Sequence, residues 1–458
     1  MKNTDKSPDG STPRTISTRR VVTASAFGST IEYYDFFLYG TAAALVFPSV
    51  FFPTFDPVAG TILSFGTFAV GFVSRPLGAL VCGHYGDRIG RKAMLMLTLL
   101  MMGLSTAAIG LLPSYDSVGI AAPLLLITMR FLQGFSFGGE LGGAAVMAVE
   151  HAPKGKRGFW GSIPYVGSPI GQALSTALLL LIALAISDDA FVAWGWRIPF
   201  VASIVMVAIG LYIRVKVMET PVFEELKRNR EVAKRPVLTL LRTEPRQLLL
   251  NTGLHLGITV TFFMNSVFIV SYMTTTLELP RSLALTTVLI ANVAYVAIQV
   301  AAGAASDRFG RRRVYMAGAL WAAAMAFPYF LLINTGSPVL ITLALLLLGT
   351  SIYVMYGPQP AYFSELFSPN VRFTAFALPV AVATVIGGST APMFATALTG
   401  WADGRPWGVA GYLAAIGLLT ALCAWASRET RDVDLTKDRH ARQEEDGTQS
   451  GRLEVEPR

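Results

Sequence analysis

About twelve apolar runs fill most of this chain, each near the ~20 residues that carry a helix across a bilayer. They fall at 21–48, 60–83, 93–112, 122–149, 158–186, 195–217, 247–274, 283–304, 314–333, 339–366, 373–400 and 408–427. In lipid no water is available to a backbone N–H or C=O, so only helices and closed barrels can span. Barrel strands would be shorter and would alternate in polarity. Runs this long and continuous predict an all-α membrane protein with twelve transmembrane helices. Composition agrees: 14% of residues are charged, against about 25% in a typical soluble domain.

Two of the connections are alike. Gly83-His84-Tyr85-Gly86-Asp87-Arg88-Ile89-Gly90-Arg91-Lys92 returns as Gly303-Ala304-Ala305-Ser306-Asp307-Arg308-Phe309-Gly310-Arg311-Arg312, 220 residues later. A second pair keeps nearly the same offset. Glu150 is followed seven residues on by Arg157, and Glu365 seven residues on by Arg372. Two motifs in register predict an internal repeat, that is, two pseudo-symmetric six-helix bundles. The boundaries read as a tail at 1–20, a bundle over 21–217, a linker at 218–246, a second bundle over 247–427 and a disordered tail at 428–458. Glu219-Thr220-Pro221 is expected to open a short amphipathic helix in the linker, with Thr220 as cap.

Charge gives orientation. The tails and the even-numbered loops, on one side, hold 32 of the 37 Lys and Arg residues. Cytoplasmic loops carry that excess, so both termini are expected in the cytoplasm. The net charge of +8 thus reflects topology and not a nucleic-acid surface. The first apolar run exceeds a signal-peptide core, so it is expected to be retained. Cys82 and Cys423 sit in apolar runs and the four histidines are scattered, so neither a disulfide framework nor a metal site is expected. No cofactor is expected, and the chain reads as a monomer in lipid.

Ionisable residues inside spans are costly and mark function by default. Glu32, Asp35 and Tyr39 share one face of the first helix by their spacing. Glu32, Asp35 and Glu140 are the candidates to carry a coupled proton, since neighbouring carboxylates raise at least one pKa. The plainer reading is that each acid neutralises an arginine. Arg75 and Arg130, with Tyr39, are candidates for substrate binding, because an arginine fork matches a carboxylate. The second bundle offers His255, Asn265, Asn292, Tyr295, Tyr356 and Gln359 for hydrogen bonds, against the plainer reading of interhelical contacts. Pro164 and Pro169 should bend the fifth helix. Gly134, Gly138 and Gly142 form a small-residue ridge suited to close helix contact.

The repeated motifs suggest a gate. Asp87, Arg88, Arg91, Glu150 and Arg157 are expected to hold the first bundle together at the basic face. Asp307, Arg308, Arg311, Glu365 and Arg372 would do the same in the second. Clusters of this kind can favour one access state and break in the other. The plainer reading is a pair of solvated basic turns.

Together the decapeptides resemble the signature of the major facilitator superfamily. Glu32-Tyr33-Tyr34-Asp35-Phe36, Arg75-Pro76-Leu77-Gly78, Arg130-Phe131-Leu132-Gln133-Gly134, Trp194-Gly195-Trp196-Arg197-Ile198-Pro199-Phe200 and Glu219-Thr220-Pro221-Val222-Phe223 resemble its bacterial metabolite:proton symporter family. The resemblance runs from about Arg19 to Arg431. It implies a transporter, not an enzyme, that takes up an organic acid such as shikimate or a di- or tricarboxylate with protons. Its alternatives are a proline or betaine symporter and a drug or metabolite antiporter. The antiporter's glycine-proline motif is degraded here to Ser168-Pro169-Ile170-Gly171-Gln172, and the short tail lacks the heptads of the family's osmosensors.

Overall fold

A computed structural model of the chain describes residues 18–89, 91–138, 148–150, 152–218, 236–367, 372–388, 390–433 and 435. Twelve long helices run in the predicted order. In the first bundle they are α1 (Thr18–Leu45), α2 (Pro57–Ile89), α3 (Arg91–Leu111), α4 (Ala121–Gly138), α5 (Arg157–Ala185) and α6 (Arg197–Met218). In the second they are α7 (Pro245–Thr276), α8 (Arg281–Phe309), α9 (Arg311–Ile333), α10 (Pro338–Leu366), α11 (Arg372–Ala383 and Ala391–Trp401) and α12 (Trp407–Ala426).

Among the described residues eight helices meet a length and hydropathy test for spanning, and a bent pair ending in α6 makes a ninth. α1 is not among them, for a physical reason. It carries Glu32 and Asp35 and packs inside the protein, so lipid does not set its composition. The outer helices bear exposed apolar side chains such as Leu111, Leu184, Leu331 and Leu422, the surface expected against lipid. Burial separates the layers: 89% of the spanning window of α7 is buried, against 39% in α9 and α12.

The packing repeats as the sequence does. α2 pairs with α4 and α8 with α10; α1 with α5 and α7 with α11; α3 with α6 and α9 with α12. The bundles meet along α5 against α8 and α2 against α11, again a symmetry-related pair. Close approach explains several glycines. A Cβ on Gly134 would lie 1.9 Å from the Gly71 carbonyl oxygen, and one on Gly78 would lie 1.8 Å from that of Phe135. Across the bundles, a Cβ on Gly158 would lie 2.3 Å from the Gly303 oxygen, and one on Gly303 would lie 2.7 Å from the Gly158 oxygen.

Three expectations need correction. The second decapeptide is not a turn throughout: α8 runs on through Asp307 to Phe309, and the break is confined to Gly310 at φ +99°, where glycine is favoured. Of the two prolines in α5, Pro164 opens a 3₁₀ turn (Pro164–Val166), while Pro169 lies in the first turn of the following helix and is accommodated. The chain after Arg428 is not wholly disordered, because residues 428–433 and Leu435 pack on the basic face. The Glu219–Leu226 segment lies outside the described residues.

Candidate functional site

One small buried cavity lies within the first bundle. Glu32, Asp35 and Phe36 of α1, Gly71 and Arg75 of α2, and Arg130 and Gln133 of α4 are among its walls. Four of the ionisable residues singled out by sequence therefore meet there. Glu140 lies outside the described residues. Asp35 is 3% exposed; its Oδ2 accepts from the Thr106 hydroxyl at 3.0 Å, and its Oδ1 has no partner. Gln133 joins the network, donating to Thr106 at 2.6 Å and accepting from Arg130 at 3.1 Å. Sequence reading passed over Thr106 and Gln133, because a lone hydroxyl or amide in an apolar run carries no pattern of its own.

Both guanidiniums are held by rings. Arg75 lies 4.0 Å from the Phe137 ring centroid and 4.5 Å from that of Phe72. Arg130 lies 4.2 Å from the Tyr39 centroid and 4.7 Å from that of Phe68. Such contacts offset part of the cost of burying a cation. Neither arginine takes part in an ion pair among the described residues, and the Nε of each has no hydrogen-bond partner. Tyr39 supports Arg130 and does not line the cavity: its hydroxyl is 2.6 Å from that of Thr67.

A second small cavity lies where α5, α7, α8 and α10 meet. Its polar wall is neutral: Gln172, Asn265, Ser266, Asn292, Tyr295 and Tyr353. Phe36 of the first cavity and Phe262 of the second belong to one aromatic layer, with Phe36–Phe263 at 5.6 Å and Phe37–Phe262 at 5.1 Å. Asn265, Asn292 and Tyr295, singled out in the sequence, line this cavity together with Gln172 and Tyr353, which were not. His255, Gln359 and Tyr356 line neither cavity. The Gln359 amide is 2.7 Å from His255 Nδ1, and the Tyr356 hydroxyl is 2.8 Å from that of Tyr33 across the bundles. In this conformation the three are helix–helix contacts.

At the basic face the charged motifs interlock. Arg311 reaches Asp307 at 2.7 Å and Glu365 at 3.2 Å, within the second bundle as expected. The other pairs cross between bundles, contrary to expectation. Arg372 binds Glu150 at 2.9 Å, and Arg157 approaches Glu365 at 3.8 Å. Asp307 also crosses, accepting the backbone N–H groups of Gly158 and Phe159 at 2.8 and 2.9 Å, at the start of α5. That helix end carries positive partial charge, which favours a carboxylate. The reason for the crossing is the glycine contact of Gly158 with Gly303, which brings α5 and α8 close enough. Arg308 is exposed and contributes its carbonyl. The side chains of Asp87, Arg88 and Arg91 lie outside the described residues.

The residues after α12 lie over this network. Glu429 accepts the N–H groups of Arg311 at 2.7 Å and Arg312 at 3.2 Å, capping α9. The Thr430 hydroxyl donates to Glu365 at 2.7 Å. The Val433 carbonyl accepts from Arg157 at 2.6 Å, and that of Leu435 from Arg372 at 2.8 Å. Leu435 packs with Val149 of the first bundle and Ala361 of the second.

Two repeated helical bundles, a charged buried cavity and a network closing one face define a membrane transport protein. The sequence matches the Major Facilitator Superfamily profile over residues 25–378 and again over 254–453, and the chain belongs to that family. It is 42% identical to the inner membrane metabolite transport protein YhjE of Escherichia coli strain K12, over 92% of this chain and 96% of that one. It is 40% identical to the shikimate transporter of the same organism, over 93% and 98%. The proline/betaine transporter of that organism is 34% identical, over 81% and 76%. Among solved structures the proton:xylose symporter XylE superposes with a TM-score of 0.71 at 19% identity, over 92% of this chain and 98% of that one, which shows the fold.

Proposed function

We propose that this protein is a proton-coupled importer of a small organic acid, working by alternating access. One observation carries the reading: Arg75 and Arg130 face one small buried cavity, and neither is ion-paired among the described residues. A cation held on aromatic rings in a desolvated pocket is a seat for an anion, and a guanidinium fork matches a carboxylate. Shikimate and the di- and tricarboxylates are the first substrates to try; the shikimate relative supports that choice.

Asp35 is the first candidate for the proton, Glu32 the second and Glu140 the third. Its buried carboxyl has an unpartnered oxygen in the same cavity as the arginines, so protonation there and anion binding are electrostatically linked. With Asp35 protonated, no charge on that carboxyl competes with the substrate for the guanidinium beside it. The network at the basic face is the gate: it must break for the cavity to open on that side. Both termini lie in the cytoplasm on this reading, since that face carries the Lys and Arg excess, and the protein works as a monomer in the inner membrane.

The test is uptake of labelled shikimate and of di- and tricarboxylates into proteoliposomes with an imposed proton gradient. Accumulation of one of them that a protonophore abolishes is the expected result. Uptake of proline or betaine, with every organic acid failing to compete, would overturn the substrate class.

A further inference from the structure

The neutral cavity between α5, α7, α8 and α10 has a defined hydrogen-bonding polarity. Asn292 donates its Nδ2 to the Val288 carbonyl at 2.8 Å. A carbonyl only accepts, so the amide orientation is fixed and Oδ1 is left over. Tyr295 donates its hydroxyl proton to the Leu345 carbonyl at 2.6 Å, and therefore accepts from Asn265 Nδ2 at 3.0 Å. That fixes the second amide. The Oδ1 atoms of Asn265 and Asn292 are both buried and, among the described residues, without a partner, on neighbouring helices, and both residues line this cavity. Buried acceptors left unmade are costly, and two in one cavity specify a ligand with donors.

The donor class follows from charge. Among the described residues no charged side chain lines this cavity, so an ammonium group would be desolvated without a counter-charge. A hydroxyl donates without that penalty. A fully methylated ammonium has no donor at all. The rings of Phe36, Phe37, Phe262 and Phe263 pack between this neutral wall and the arginines, so one ligand touches both only after these rings part.

We propose that Asn265 and Asn292 form a subsite for substrate hydroxyl groups, so that the transported acid is a hydroxylated carboxylate. This rests on the arginines being the carboxylate seat. A site built to hydrogen-bond a hydroxyl discriminates strongly against the analogue lacking it, because its own polar groups are then left unpaired.

The experiment compares cyclohexanecarboxylate with its trihydroxy derivative, and with glycine betaine and proline, as ligands of the purified full-length protein, read by calorimetry. The trihydroxy acid should bind about tenfold or more tighter than the parent acid. Asn265→Leu and Asn292→Leu should erase that ratio by weakening the trihydroxy acid. Asn265→Ser and Asn292→Ser are milder forms should the leucine variants misfold, and a tenfold ratio kept in all of them would overturn the assignment to these residues. Equal affinities for the two acids would overturn the subsite and leave the anion seat standing. Binding of betaine or proline with neither acid bound would overturn both.

Discussion

At the scale of single residues, the site depends on atoms left without partners. Among the described residues Asp35 keeps one carboxylate oxygen free, and Arg75 and Arg130 keep Nε free. An amide at position 35 retains size but cannot exchange a proton. Asp35→Asn is therefore expected to abolish accumulation driven by a proton gradient while substrate exchange across the vesicle persists; counterflow measured beside net uptake separates the two. Wild-type accumulation in Asp35→Asn, Glu32→Gln and Glu140→Gln alike would remove the carboxylates as proton carriers. Arg75→Lys keeps the charge and loses the planar fork. The expected outcome is affinity for a carboxylate substrate weakened about tenfold or more, since losing one charge-assisted hydrogen bond costs about 1.5–3 kcal/mol. An unchanged Kd by calorimetry would mean that Arg75 is only a helix contact.

At the scale of elements, the basic face is held by α5, α8, the end of α10, the start of α11 and the segment after α12. Glu429 caps α9, and the backbone of Val433 and Leu435 binds arginines from both bundles. Ending the chain after Ser427 removes these contacts and should raise the population open at that face. Spin labels at Lys154 and Phe309, one exposed position on each bundle, would report longer separations. A distance distribution identical to that of the full chain would rule the segment out as a latch. Gly303→Val acts on the same face from within, because its side chain would meet the Gly158 carbonyl and Ser162. It should also favour separation there. Asp307→Asn removes the charge that caps α5, and slower transport at unchanged substrate affinity is the expected kinetic result.

At the scale of the whole molecule, the two faces are closed unequally. The basic face has a buried network with several charge-assisted bonds. The opposite face has one described cross-bundle ion pair, Arg281 with Asp188 at 3.0 Å, and Asp188 is 81% exposed there. Exposed pairs contribute about 0–1 kcal/mol. The resting protein should therefore open more readily on the face away from the Lys and Arg excess, where substrate and protons would enter. Uptake should rise as external pH falls, because protonating the cavity carboxylates leaves the arginines free for an anion. Transport undiminished without a proton gradient but strictly dependent on sodium would reverse the coupling ion.

The sequence by itself determined the twelve helices, their repeat and the first cavity's ionisable residues. Those features follow from rules that act along the chain: apolar length, loop charge and the cost of a buried carboxylate or guanidinium. Glu32, Asp35, Arg75 and Arg130 were legible because a charge in an apolar run is costly and stands out from its neighbours. Tertiary structure alone decided which partners meet. The gate pairs of Glu150 with Arg372 and of Arg157 with Glu365 cross between bundles, and no spacing within one repeat encodes a contact to the other. Residues 428–435 read as solvated tail from composition, yet their backbone binds charges more than sixty residues away in sequence. Asn265 and Asn292 stood out only as polar residues in apolar helices. Their unpaired oxygens became visible once Tyr295, Leu345 and Val288 had claimed the rest of the network, because hydrogen-bond satisfaction is a property of neighbours in space.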